Sequence, residues 1–411
     1  MPKLKHYDVV IVGGGMVGLC LALAIKDFLK VAIIEARTPS FENQDIRALA
    51  LSYSSQQILT ALQIWPQIES KITTLKEIHI SERGRFGVTR LNAAECGYEQ
   101  FGAIVPAYLL AENLYSAVMK CPEIELIAPA KIEKLMYDEA RAYLVGKSAE
   151  NDFTISSELV IIANGANSEL AQKAGVQYQT QEVTQHALVS TIEVSQATPG
   201  VAYERFVNQD ILALLPLPDN KYGVVWTAKN AEIDHLKSLP EKDFLKRLQD
   251  TFGYRVGRFK QIVSARQAYP LQSVIAQNEV KSRAIVLGNA AHTLHPAAGQ
   301  GLNLALRRTA VLAEELVKAR LNSYDLANPE TLGRYIERTQ SDVKNVAQFT
   351  SSLVSLFSHD AKLLSHLRGL GLFLFDRAIP LKTHFVEQAM GVANSHSLLS
   401  NGQALTHEIL A

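Results

Sequence analysis

Cysteine is scarce in this chain, and charge of one sign is absent in excess. Among 411 residues there are three cysteines, Cys20, Cys96 and Cys121. They are odd in number, widely spaced and form no CxxC pair, which argues against a disulfide framework or a zinc site and suits a reducing cytoplasm. Lys plus Arg number 41 and Asp plus Glu number 41, so the formal charge is zero. Without a basic excess no long-range field draws the protein to phosphate backbones, and nucleic acid is not an expected partner. There is no repeat, no low-complexity tract and no GxSxG, so a hydrolase elbow lacks its nucleophile. Nor does any stretch reach the about 20 apolar residues of a membrane span. The uncharged stretch 9–25 follows Lys3, Lys5 and His6 in the manner of a signal peptide, but Gly13-Gly14-Gly15 breaks it into strand, turn and helix.

What is present is a globular composition, 47% hydrophobic and 20% charged. At roughly 150 residues per domain the length suggests two or three domains. Tyr7 to Val12 reads as a β-branched strand, Met16 to Lys26 as a helix, and Lys30 to Glu35 as a second strand, together a βαβ unit. Residues 75–92 look like strands, Tyr108 to Lys120 like a helix, and Leu159 to Ala163 like a strand. From about 180 to 275 the pattern changes to short β-type segments, Ala187 to Val194, Ile211 to Leu215 and Gly223 to Thr227, which predicts a separate sheet. Residues 284–288 return to a buried strand, followed by a Gly-rich loop and a long helix from Leu302 to Ala319. The remainder reads as helices, with an apolar Leu and Phe run at 353–375 assigned to buried helix packing or to a surface for lipid or partner proteins.

Gly13-Gly14-Gly15-Met16-Val17-Gly18 has the form GxGxxG between a predicted strand and helix, and Glu35-Ala36-Arg37 closes the next strand. Gly13 permits the tight turn, Gly15 lets a diphosphate approach the backbone, and Gly18 lets the helix pack on the sheet. The helix N-terminus offers free N–H groups and about half a positive charge, so a diphosphate is held without a cationic side chain. Glu35 can accept from an adenosine ribose hydroxyl. This motif alone does not separate NAD from FAD.

The second half of the chain separates them. Val286 to Pro296 (VLGNAAHTLHP) leads into Gly299-Gln300-Gly301-Leu302-Asn303, and the arrangement resembles the second flavin fingerprint of aromatic-ring hydroxylases, GDAAH..P..GQG.N. With Arg47 in the segment Arg47 to Leu51 and the turn Ala163-Asn164-Gly165-Ala166-Asn167-Ser168, the likeness covers nearly the whole chain in family order. It is most similar to the ubiquinone-biosynthesis FAD-dependent hydroxylase family, and within it to the 2-polyprenyl-6-methoxyphenol hydroxylases, through Gly288-Asn289-Ala290-Ala291, Tyr203-Glu204-Arg205-Phe206, Leu214-Leu215-Pro216, Trp226 and Ala268-Tyr269-Pro270-Leu271. Asn289 and Asn164 stand where relatives often have Asp, Asn113 where a flavin-contacting Arg or Gln is common, and Arg308 where an acid is common.

The resemblance implies an α/β fold: a Rossmann-like FAD-binding domain, an interleaved β-sheet substrate domain and a C-terminal helical region. The expected partition is FAD-binding parts at 1–74, 100–178 and 276–350, substrate-sheet parts at 75–99 and 179–275, and C-terminal helices at 351–411. Gly13, Gly15, Met16, Val17, Gly18, Glu35, Ala36, Arg37, Arg47, Ala163, Asn164, Gly165, Gly288, Asn289, Pro296, Gly299, Gln300, Gly301, Leu302 and Asn303 are the cofactor candidates. His295, Pro296, Gly299, Tyr203, Arg205, Trp226 and Tyr269 are pocket candidates. No acid or base is assigned, because the substrate is already activated by its hydroxyl and methoxy groups. His292 and His295 lack a carboxylate or cysteine cluster nearby in sequence, so no metal is expected.

The implied reaction uses NAD(P)H, O2 and FAD to hydroxylate a polyprenylated phenol, at C1 of 2-polyprenyl-6-methoxyphenol. The nicotinamide binds transiently, since Gly369-Leu370-Gly371 lacks the third glycine of a second GxGxxG. Alternatives left open are a sister C5 or C6 hydroxylase, a flavin-retaining subunit of the quinone-synthesis assembly without turnover, and a flavin reductase of prenyl chains. Contact with membrane lipid or with other ubiquinone-biosynthesis proteins is a further expectation for a cytoplasmic protein handling such a substrate.

Overall fold

The computed structural model describes residues 4–38, 45–85, 87–149, 151–181, 185–207, 210–293, 299–358, 374–393 and 397–410, the last ten side chains of the helix Pro329–Ser358 excepted. His295, Pro296, Gly369 to Gly371 and the side chains of the apolar run up to residue 373 therefore lie outside the described residues.

The Val- and Ile-rich runs near the N-terminus are buried on both faces, as strands of a covered parallel sheet must be. In space the parallel strands run Ala284–Val286, Asp152–Ile162, Lys5–Val12, Val31–Ile34 and Ile124–Ile127. One face, with Val9, Ile11, Ile33, Leu159, Ile161 and Ile285, packs under the helices Met16–Ile25, Ala107–Met119 and Gln300–Leu321. The other, with Val10, Val12, Ile34, Val160 and Ile162, is covered partly by an antiparallel hairpin, Ala130–Tyr137 and Ala142–Ser148. The fold is the α/β Rossmann-like arrangement that the glycine motif predicts, with a helical C-terminal region.

A second sheet, also 8-stranded, is ordered Phe259–Ile262, Gln185–Val194, Lys221–Lys229, Asp210–Leu217, Val201–Val207, Glu77–Glu82 and Val88–Asn92, and Gln267–Pro270 adds to Gln185–Val194. Side chains alternate across it. One face, with Leu188, Tyr203, Leu212, Leu214, Tyr222, Val224 and Trp226, is buried beneath the helices Asn230–Ser238 and Glu241–Phe252. These helices were absent from the sequence reading, which took 180–275 as strands and turns. Phe244, Leu248 and Phe252 recur every four residues and are all buried, the helical spacing that separates them from strand alternation. The opposite face, including Ile80, Glu204, Ala213, Leu215 and Val225, is only partly covered.

The strand Ala48–Ser52 joins the two bodies. It pairs with Gly102–Pro106, which also pairs with Thr73–Leu75. On the open face of the large sheet, a Cβ placed on Gly223 would come 2.6 Å from the Ala48 Cβ, so only a glycine permits this approach. Among the described residues no helix is long and apolar enough to cross a membrane.

Candidate active site

The parallel register brings four chain ends to one edge. Val12 pairs with both Ile34 and Ile162, and Ile162 pairs with Val286. The residues that follow, Gly13, Glu35, Ala163 and Leu287-Gly288, therefore emerge together. Gly13 N donates to Ile34 O at 2.8 Å, Ala163 N to Val12 O at 2.8 Å, and Leu287 N to Ile162 O at 3.0 Å. The carboxyl edge of such a sheet is where ligands bind in open α/β folds.

Each glycine of the first motif faces a different constraint. Gly13 has φ +117, and a Cβ there would lie 2.5 Å from Ala163 O and 2.8 Å from Asn164 Cα. A Cβ on Gly18 would strike Gly13 O and lie 3.1 Å from Ile11 Cγ2, so this position sets the closeness of helix to strand. Gly15 is exposed, and a Cβ there would meet nothing within 4 Å. The space in front of Gly15 and the first turn at Met16 and Val17 is therefore open to a diphosphate. Glu35 accepts from Gly14 N at 2.7 Å and from Arg37 N at 3.0 Å. Its remaining lone pairs stay available for a ribose hydroxyl, and Ala36 and Arg37 beside it are exposed.

The second motif lies against the first. A Cβ on Gly288 would be 3.2 Å from Val17, so the turn Gly288–Ala290 rests on the start of the dinucleotide helix although the two are far apart in sequence. Asn289 and Asn164 are both exposed at this edge. Gly299, at φ +60, caps the helix Gln300–Leu321, and a Cβ on it would lie 3.3 Å from the Ala50 Cβ. A Cβ on Gly301 would meet nothing within 4 Å, and Leu302 is half-buried, so this helix also presents an open N-terminal turn.

Asn303 and Gln300 act within the protein. The Asn303 amide accepts from Ser52 N at 2.9 Å and Ser55 Oγ at 2.8 Å, and donates to Ala50 O at 2.9 Å and Gly299 O at 3.0 Å. Its four bonds tie the Gly-rich loop to the strand Ala48–Ser52. Gln300 Nε2 donates to Ala389 O at 3.2 Å. Asn113 Nδ2 turns back to Leu109 O at 2.8 Å on its own helix. Arg47 is ion-paired with Asp45 at 2.5 Å and lies 5.7 Å over the Tyr269 ring. Tyr269 pairs in register with Ala187, opposite in face to Ala268, so it belongs to the open side of the large sheet.

Three pocket candidates point the other way. The Tyr203 ring lies 5.5 Å edge-on to Phe252, Arg205 Nε donates to Thr251 O at 3.2 Å, and Trp226 is buried in the same helix-covered core. Alternation puts all three on the face away from the flavin loops. Sequence reading had no means of knowing which of the two faces the helices cover. It also passed over Glu204, the carboxylate between Tyr203 and Arg205 on the open face.

His292 belongs to a buried charge cluster. Its Nδ1 contacts Arg308 Nη1 at 2.6 Å and its Nε2 lies 3.3 Å from Glu279, which Arg308 also pairs with. Burial, with Arg308 second, depresses its pKa to about 3, so the ring is neutral and the Glu279 contact is a hydrogen bond from Nε2–H. Arg308 also stacks 5.1 Å over Tyr335. No group of three or more potential metal ligands occurs among the described residues.

Two open, glycine-lined helix N-termini at the carboxyl edge of a parallel sheet, flanked by a second sheet with one face only partly covered, fit a flavin-dependent oxidoreductase. The chain belongs to the FAD binding domain family, whose model matches residues 6–350. It is an FAD-dependent aromatic monooxygenase, with NAD(P)H as the co-substrate typical of that family. It is 32% identical to ubiquinone hydroxylase UbiL of Rhodospirillum rubrum over 94% of this chain and 90% of the relative. It is 28% identical to 3-demethoxyubiquinol 3-hydroxylase of Escherichia coli over 94% and 98%. The fold is shared with p-nitrophenol 4-monooxygenase of Pseudomonas putida at TM-score 0.78 and 15% identity, covering 96% of this chain and 99% of that one.

Proposed function

We propose that this chain hydroxylates a polyprenylated phenol in ubiquinone biosynthesis, at C1 of 2-polyprenyl-6-methoxyphenol. The observation that carries the reading is the half-open face of the large sheet, lined by Ile80, Ala213, Leu215 and Val225 and joined to the flavin loop through Ala48 and Ala50. An apolar floor of this kind suits a neutral aromatic ring with a greasy tail, and two relatives carry ubiquinone-pathway names. In this reading the segments 1–74, 100–178 and 276–350 form the FAD-binding part, 75–99 and 179–275 the substrate part, and 351–411 the C-terminal helices. The prenyl chain would meet the outside near Leu374, Ile379 and Leu381, which are exposed and offer apolar contact to membrane lipid.

Gly13, Gly15, Met16, Val17 and Gly18 would hold the diphosphate, Glu35 the ribose, and Ala163 to Gly165 with Asn289 the edge of the cofactor. Bound FAD would supply activation of O2 for transfer of one oxygen atom to the ring. The open N–H groups at Gln300 and Gly301, at the positive end of a long helix, favour negative charge at the flavin ring. Arg47 and Tyr269 would border the ring from the large-sheet side.

The Escherichia coli relative is by its name a 3-hydroxylase, which favours hydroxylation at another position of the same ring as the second reading. Complementation of strains blocked at each ring hydroxylation, with quinone intermediates measured by mass spectrometry, separates the two. Restoration of the C1-blocked strain is the expected result. Restoration of a different strain alone would replace the C1 assignment with that position.

A further inference from the structure

Glu204 occupies the side of its strand that Tyr203 and Arg205 avoid. In register it stands between Ala213 and Ile80, and Ala213 stands beside Val225. Ala202 and Phe206 share its face along the strand. The residues beside Glu204 on this face are apolar, and among the described residues Glu204 has no hydrogen-bond or ion-pair partner. A carboxylate without a partner among apolar side chains is disfavoured relative to one in water. Such a cost marks a position held for something other than stability.

The charged groups around it are engaged or turned away. Glu82 lies two positions along the neighbouring strand on the same face, beside Phe206. The strand Ala48–Ser52, which packs on this face at Gly223, carries no charged residue. The C-terminal helix Ile379–Met390 brings Lys382, bonded to Glu95 at 2.9 Å, Glu387, which accepts from Tyr98 at 3.3 Å, and an exposed His384. Asp376, just before that helix, accepts from Arg90 N at 2.7 Å. Burial alone pushes the Glu204 carboxyl up to about 7.

We propose that Glu204 is the catalytic base that receives the substrate's phenolic proton, an inference that rests on the phenol-hydroxylase reading above. The phenol O–H bond breaks, its electron pair stays on the ring oxygen, and the proton passes to the Glu204 carboxylate. The ring carbons ortho and para to that oxygen become more nucleophilic toward the oxygen atom supplied through FAD and O2. When the ring regains aromaticity the C–H electron pair returns to it, the C–H proton leaves to water, and Glu204 returns its proton to the ring oxygen. A base with a pKa near the working pH is suited to this exchange.

The test uses FAD-loaded protein, wild type, Glu204→Gln and Glu204→Asp, with FAD content reporting the fold. With a short-chain 2-prenyl-6-methoxyphenol, the wild type should show a rise in kcat/KM through about pH 7, and Glu204→Gln should lose that rise, lower hydroxylation by about 10²–10⁴-fold and divert oxygen to hydrogen peroxide. Glu204→Asp should recover part of both. In parallel, p-nitrophenol is titrated against each protein and its ionisation read by absorbance. The wild type should hold bound p-nitrophenol un-ionised to higher pH than Glu204→Gln does, because a carboxylate in contact with the phenol oxygen disfavours a second negative charge beside it. Equal ionisation in the two proteins, or hydroxylation by Glu204→Gln within threefold of wild type with the same pH profile, overturns the assignment. Absence of hydroxylation by the wild type would sink the substrate reading alone, since the p-nitrophenol titration still decides Glu204.

Discussion

Two glycines three residues apart have separable jobs. Gly18 has no room for a Cβ, whereas Gly15 opens into space at an ordinary φ of −76. Gly18→Ala should destabilise the FAD-free protein by about 1–3 kcal/mol through overpacking against Gly13 and Ile11. Gly15→Ala should leave the melting temperature of the FAD-free protein nearly unchanged while reducing flavin retained on purification. Thermal melts beside the 450 nm flavin absorbance distinguish the two, and a Gly15→Ala protein that melts as low as Gly18→Ala would contradict the geometry. The motif was readable at these positions because glycine spacing is a local requirement of the backbone. The role of Asn303 was not, since its partners Ser52 and Ser55 lie far away in sequence. Arg308 has a similar history. It stands where an acid is common in the family pattern, and it is built into a buried cluster with Glu279, the neutral His292 and Tyr335.

At the level of elements, the large sheet has one structural face and one open one. Phe244 on the helix Glu241–Phe252 is fully buried against the first, and Phe244→Ala should destabilise by about 3–5 kcal/mol, read from denaturant midpoints. Leu215 is half-buried on the second. Leu215→Ala should change stability by less than Phe244→Ala and raise KM for the phenol substrate more than it lowers kcat. If Leu215→Ala were as destabilising as Phe244→Ala, the open face would be ordinary core. The segments Ile211 to Leu215 and Gly223 to Thr227, read from sequence as β-type, lie inside the strands Asp210–Leu217 and Lys221–Lys229, because short apolar runs bounded by Pro and Asn turns are a local signal. Which alternate set is covered depends on the helices Asn230–Ser238 and Glu241–Phe252, and Tyr203, Arg205 and Trp226 fall in the covered set.

Across the whole molecule, the cofactor edge is assembled from distant parts of the chain. The strand Ala284–Val286 and the helix Gln300–Leu321 follow the large sheet in sequence, yet they complete the sheet and core begun by Lys5–Val12. A fragment ending at residue 178 lacks both, so it should fail to retain FAD and should lack a cooperative melt by circular dichroism. A fragment that bound flavin with a sharp transition would show that the later segments are dispensable. The sequence by itself determined the two glycine fingerprints, the acid at Glu35, the order of the main elements and the family, because each is written in local spacing. Only the tertiary structure decided that Gly288 rests on Val17, that Asn303 braces Ala48–Ser52, and that Glu204 rather than Arg205 looks into the open side. Alternation along a strand defines two sets of side chains, and it is the packing of other elements that covers one set and leaves the other free for chemistry.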